Sequence, residues 1–184
     1  MDSGQLRSIF IIPVIRTLAV TDVSSRFQQI ASKEAEDLLN GTFAQESGCG
    51  RYVRELEGGP GRGFWQMNPK DHDEIWKMYL PNHAKLANAV LNLATCSKPP
   101  SADLLIDNIR YACAMARIHY LRIADKIPGT LEGQAAYWKK YYNSIEGAGT
   151  VEQYIANYKK FNGIVDASAV NSGAVQIFTK KDKK

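Results

Sequence analysis

The stretch Lys33-Glu34-Ala35-Glu36-Asp37-Leu38-Leu39-Asn40-Gly41-Thr42-Phe43-Ala44-Gln45-Glu46-Ser47-Gly48-Cys49-Gly50 decides how this chain reads. Leu38, Leu39 and Phe43 recur at helical spacing. Gly48 and Gly50 follow as stops. The segment therefore reads as a helix that delivers one carboxylate, Glu46, at its C-terminal end. The helix dipole disfavours an anion there. Burial beside aromatic rings would act in the same direction and lift the carboxyl toward neutrality, which a general acid needs. Taken alone, such a glutamate reads as an ordinary surface charge.

A second patch changes that reading. Gly61-Arg62-Gly63-Phe64-Trp65-Gln66-Met67-Asn68-Pro69 is a glycine-bracketed turn into an aromatic and amide cluster. Gly61 and Gly63 permit close backbone approach. Trp65 offers a face on which a sugar ring can stack, whereas Phe64 reads more simply as core. Gln66 carries both a donor and an acceptor for sugar hydroxyls or an acetamido group. An acid at a helix end, facing aromatic and amide groups, suits protonation of a glycosidic oxygen.

These two patches resemble the Glu-Ser motif and the Gly-x-x-Gly-Leu-x-Gln-x-x-Pro motif of soluble lytic transglycosylases and goose-type lysozymes, with Phe64 where the Leu is usual. Asn108-Ile109 resembles the family's Asn-Ile segment, although Ala112 stands in place of a Gly. Tyr142-Asn143-Ser144 and Gly147-Ala148-Gly149-Thr150-Val151 resemble its Ala-Tyr-Asn-Ala-Gly and Gly-x-x-Val motifs. The likeness spans about residues 35–155. It implies a mainly α, lysozyme-like domain that cleaves bacterial peptidoglycan. Glu46 would be the catalytic acid and base. Ser47, Trp65, Gln66, Tyr142, Asn143 and Tyr137 would meet substrate, with Tyr137 and Tyr141 alternates for the Tyr142 position. It further implies the transglycosylase route, in which the product closes to a 1,6-anhydro sugar and no cofactor is needed. A hydrolytic alternative needs a second carboxylate. Glu55, nine residues after Glu46, and Glu57 are the candidates, although both read more simply as solvated loop charges. A further alternative is a structural virion protein that keeps the fold without turnover.

At 184 residues the chain suits one domain over 1–162 with a tail over 163–184. The composition, 45% hydrophobic and 23% charged, is that of a soluble globular protein. A net charge of +4 favours an anionic partner such as a cell wall and is too weak to argue nucleic acid. Cys49, Cys96 and Cys113 are odd in number and lack metal spacing, and His72, His83 and His119 are dispersed. No metal is expected. The apolar run Ser8–Ile15 reads as a buried first helix, bent or restarted at Pro13, too short for a membrane span and without a cleavable signal. A wall-cleaving chain without a signal needs another delivery route. A phage particle, with other virion proteins as partners and action in the host periplasm, supplies one; release of a cytoplasmic endolysin through a lysis system supplies another. The apolar stretch Ala174–Phe178 would add as a strand to a partner's sheet.

The rest of the pattern is helical. A helix through Phe27, Ile30 and Ala31 would be capped by Asp22 or Ser24. Further helices are expected after Asn68-Pro69, over 83–95, from Ser101 to about Ile123, over 133–143 and after Thr150. The Ser101–Ile123 helix is apolar nearly all round and reads as the central helix of a bundle. The glycine-rich segment 51–63 is the one place for a loop or short β-hairpin.

Overall fold

In a computed structural model the structure describes residues 1–20, 27–55, 58–144 and 147–164. The expected cap at Asp22 or Ser24, Glu57, and the apolar tail stretch lie outside the described residues. The fold is mainly α.

Helix α1 spans Ser3–Val20. Asp2 caps it by accepting from the Gln5 N–H at 2.9 Å. Pro13 has no N–H to give to the preceding turn, and a π segment, Leu6–Ile11, ends two residues before it. The helix therefore widens rather than breaks. It extends beyond the expected Ser8–Ile15 run and is long and apolar enough to cross a membrane, by length and composition alone. Its stripe of Leu6, Ile11, Val14, Ile15, Leu18 and Ala19 is nevertheless packed into the protein core.

After the single turn α2 (Phe27–Ile30), helix α3 spans Lys33–Glu46, with Ser32 as its cap. Arg7 ties α1 to α3 through Glu36 and Asp37, each at 2.7 Å. Helix α4 (Pro69–Glu74) starts at the Asn68 cap and continues through a π segment, Ile75–Tyr79, and a 3-10 turn, Leu80–Asn82. Helix α5 spans Ala84–Ala94. The expected Ser101–Ile123 helix is two helices, α6 (Leu104–Asp107) and α7 (Ile109–Leu121). Asn108 separates them: its backbone is extended, its side chain accepts from Tyr111 N–H, and its amide donates to Leu93 O at 2.9 Å. Helix α8 (Leu131–Trp138) runs into a π segment, Lys139–Asn143. Helix α9 (Val151–Phe161) begins with a capping box formed by Thr150 and Gln153.

Helix α7 is the centre of the bundle. Every residue from Tyr111 to Tyr120 is buried, and α1, α3, α5 and the end of α8 pack around it. Helix α9 lies on α3, where Gly41 lets the Tyr154 hydroxyl approach and donate to Leu38 O at 3.2 Å. Residues 51–55 and 58–67 lie together in antiparallel contact. Among the described residues they hold two isolated bridges, Arg54 with Arg62 and Arg62 with Met67, and no strand.

A polar knot fixes α4 on α7. The Tyr111 hydroxyl bonds His72 Nε2 at 2.6 Å and accepts from Trp76 Nε1 at 2.9 Å. Burial holds the His72 pKa down, which keeps the ring neutral. Tyr111→Phe leaves two ring nitrogens without their partner. The expected loss is about 1–3 kcal/mol of stability, read by urea unfolding. An unchanged midpoint would mean that the knot is not needed to hold α4.

Candidate active site

Helix α3 ends sharply. Ser47 accepts the Gly50 N–H on its hydroxyl at 2.8 Å and donates to Phe43 O at 2.6 Å. Gly48, Cys49 and Gly50 then all take positive φ, at 56°, 62° and 84°. Such a run turns the chain back on itself, and glycine supplies it at two of the three positions without the usual steric cost. The turn leaves Glu46 on the last helical residue, facing a groove of about 590 Å³. That volume is within the range of small-molecule sites.

Glu46 Oε1 accepts from the indole Nε1 of Trp138 at 2.8 Å. Oε2 has no hydrogen-bond partner among the described residues and is the oxygen left for a ligand. Burial pushes the Glu46 carboxyl up to about 7. The Trp138 bond opposes that rise because it favours the charged form, and the negative charge of Glu55 adds to it. Near neutral pH the group is thus divided between carboxylic acid and carboxylate.

The groove brings together Glu46, Gln66, Tyr142 and Asn143 from three separate regions of sequence. Tyr142 donates to the Trp65 carbonyl at 2.7 Å, which ties the end of α8 to the glycine turn. Its hydroxyl is held far above the usual phenol range, first by burial and then by the charge of Glu46. Asn143 Oδ1 accepts from Lys139 Nζ at 2.8 Å, and the same ammonium donates to Gly147 O at 2.7 Å. Gln66 lines the groove, but its amide is used within the turn. Nε2 donates to Gly63 O at 2.6 Å, while Oε1 is buried without a partner beside Gly61. Gln66 has φ of 46°, an uncommon conformation for a residue with a side chain.

Three expected substrate contacts lie elsewhere. Ser47 is fully buried, with its hydroxyl engaged in the helix stop. Trp65 is 1% exposed and donates to Leu39 O at 2.9 Å, so it is core and offers no stacking face. Tyr137 is buried against Tyr120 and donates to Asp125 O. Tyr141, the other alternate, bonds Asp125 and does not line the groove.

Glu55, a candidate second carboxylate, lines the same groove, and its Oε2 accepts from Gly61 N–H at 2.8 Å. Other groove residues were not legible as such. Tyr52, Arg54, Asn68 and Asp71 also line it. His119 reaches it from α7. Its Nε2 bonds Tyr141 O at 2.8 Å, its Nδ1 bonds Arg122 at 3.0 Å, and burial lowers its pKa. Trp138, the partner of Glu46, lies in the helix expected over 133–143 and was not singled out by the sequence. Among the described residues no group of three or more His, Cys, Asp or Glu side chains is placed to hold a metal ion. Comparison of the chain with protein-family models, with curated proteins and with solved structures finds no match.

Proposed function

We propose that this protein is a lysozyme-like enzyme that cleaves the glycan strands of bacterial peptidoglycan, with Glu46 as its general acid. The observation that carries the reading is Glu46 itself: a carboxyl lifted to about 7, oriented by Trp138, at the wall of a groove that also holds Gln66, Tyr142 and Asn143. The motifs that resemble lytic transglycosylases supply the substrate class.

In the transglycosylase form, Glu46 gives its proton to the glycosidic oxygen as the C1–O bond breaks. The substrate's acetamido oxygen stabilises C1. The Glu46 carboxylate then takes the proton of the 6-hydroxyl as that oxygen closes on C1, leaving a 1,6-anhydro end. Such proton transfers contribute roughly 10²–10⁴ in rate.

A hydrolytic form is a second reading, favoured by one observation. Glu55 is fixed by Gly61 in the same groove and its charge acts on Glu46. There it could direct a water to C1. Glu55→Gln distinguishes the two. In the transglycosylase form it lowers the rate only modestly, within about tenfold, well under the loss for a proton-transfer residue. A loss equal to that of Glu46→Gln, on the same purified peptidoglycan, would establish the two-carboxylate form instead.

Delivery within a phage particle, for action on the wall of the infected cell, is part of the proposal. Detection of the chain in purified particles by peptide mass spectrometry tests it. Its recovery only from the lysate would favour an endolysin.

A further inference from the structure

We propose that Tyr52 and Arg54 form a subsite for a pyranose carrying a carboxylate-bearing substituent. The inference rests on the glycan-cleaving reading and names what one wall of that groove recognises.

Tyr52 is 38% exposed and lines the groove. Its backbone N–H is fixed to Ser47 O at 3.0 Å, and its ring edge lies over Gly48, where an added Cβ would meet Cε2 at 3.0 Å. The ring is therefore held at the helix stop that presents Glu46, yet open to solvent. With Trp65 buried, Tyr52 is the exposed aromatic of the groove, and an aromatic face is a suitable platform for the apolar face of a sugar.

Arg54 follows two residues later. The bridge to Arg62 keeps this segment extended, so positions 52 and 54 share a side. Both line the groove with Glu46. Arg54 is exposed and forms no ion pair among the described residues. Arg62 is different: its guanidinium is engaged by the carbonyls of Gly59, Pro60 and Gly61 and lies 3.4 Å from Asp103. A free guanidinium in a groove is a planar fork for a carboxylate. In peptidoglycan that carboxylate has two sources. One is the lactyl group of a sugar without its peptide. The other is the stem peptide of a substituted sugar. A chitin oligomer carries neither.

The test is calorimetric titration of the full chain carrying Glu46→Gln, which is expected to turn over its ligand roughly 10²–10⁴ more slowly than the wild type. Three ligands are used: a neutral N-acetylglucosamine oligomer, a peptide-free muramyl oligomer and a peptide-bearing muramyl oligomer. Adding Arg54→Gln should weaken an acidic ligand about tenfold or more, as expected for a charged hydrogen bond, and the neutral ligand less than about twofold. Loss on the peptide-free ligand assigns the lactyl group; loss confined to the peptide-bearing ligand assigns the stem. Adding Tyr52→Ala should weaken all three. Equal losses on neutral and acidic ligands with Arg54→Gln, unchanged binding with Tyr52→Ala, or no binding of either acidic oligomer by the parent would each overturn the subsite. Binding of an acidic oligomer that depends on both residues, by a wild-type chain that cleaves no glycan, would retain the subsite and remove the proposed activity. Both residues are exposed, so thermal unfolding of each variant should match the parent.

Discussion

Glu46→Gln is expected to reduce cleavage of peptidoglycan by roughly 10²–10⁴, the usual worth of a positioned proton donor. The amide keeps the shape of the side chain, and its oxygen can still accept from Trp138 Nε1. What it removes is the proton. The same substitution has a signature in stability. The folded pKa of Glu46 is raised from 4.5 to about 7. The stability linked to that proton is therefore fully present below 4.5 and is lost as pH rises through about 7. Glutamine carries no such dependence. The variant should gain on the wild type between these pH values, by on the order of 3 kcal/mol at most at pH 8, at 1.36 kcal/mol per pKa unit. Urea unfolding at pH 5 and pH 8 reads it. Activity should fall through the same upper pH range as Glu46 loses its proton. Residual activity of the variant within about tenfold of wild type would remove Glu46 from the chemistry.

Trp138→Ala is expected to be the most damaging single change to the site's framework. The ring is fully buried, packs tilted against Tyr154 with centroids 5.2 Å apart, and closes on Gly149, where an added Cβ would lie 2.6 Å from the indole. Emptying that space costs about 3–5 kcal/mol, a large share of the stability of a typical domain. Trp138→Phe separates packing from electrostatics. It fills most of the space but gives Glu46 no N–H. That bond favours the charged carboxylate, so its loss raises the Glu46 pKa further. The alkaline limb of the pH–rate profile should move above about 7. A limb that stays in place, or moves to lower pH, would mean that Trp138 does not tune the acid.

Much of the helical framework was legible because its signals are local. Leu38, Leu39 and Phe43 mark the buried face of α3, and Gly48 and Gly50 mark its end. Thr150 caps α9 as its residue type suggests. The run through Ala112 and Met115 marks the central helix, but Asn108 interrupts it because its side chain bonds two backbone groups at once. The π segments at Leu6–Ile11, Ile75–Tyr79 and Lys139–Asn143 escape a 3.6-residue pattern, since each inserts a wider turn.

The groove was legible only in part. Glu46, Tyr142 and Asn143 line it as the motifs imply. Trp65 was misread because a core tryptophan and a stacking platform have the same letter; only the bond to Leu39 O and the surrounding burial separate them. Trp138 lies 92 residues from Glu46 in sequence, and the contact depends on how α8 packs on α3. Glu55 reads as a loop charge until the Gly61 N–H that fixes it is seen.

The most direct measurement is mass spectrometry of the fragments released when purified peptidoglycan is incubated with the protein and, in parallel, with Glu46→Gln. The account predicts muropeptides with 1,6-anhydro ends from the wild type and a yield lower by roughly 10²–10⁴ from the variant. Fragments heavier by one water, with reducing ends, would replace the transglycosylase form with the hydrolytic one. No fragments from the wild type, or equal yields from both proteins, would contradict the account.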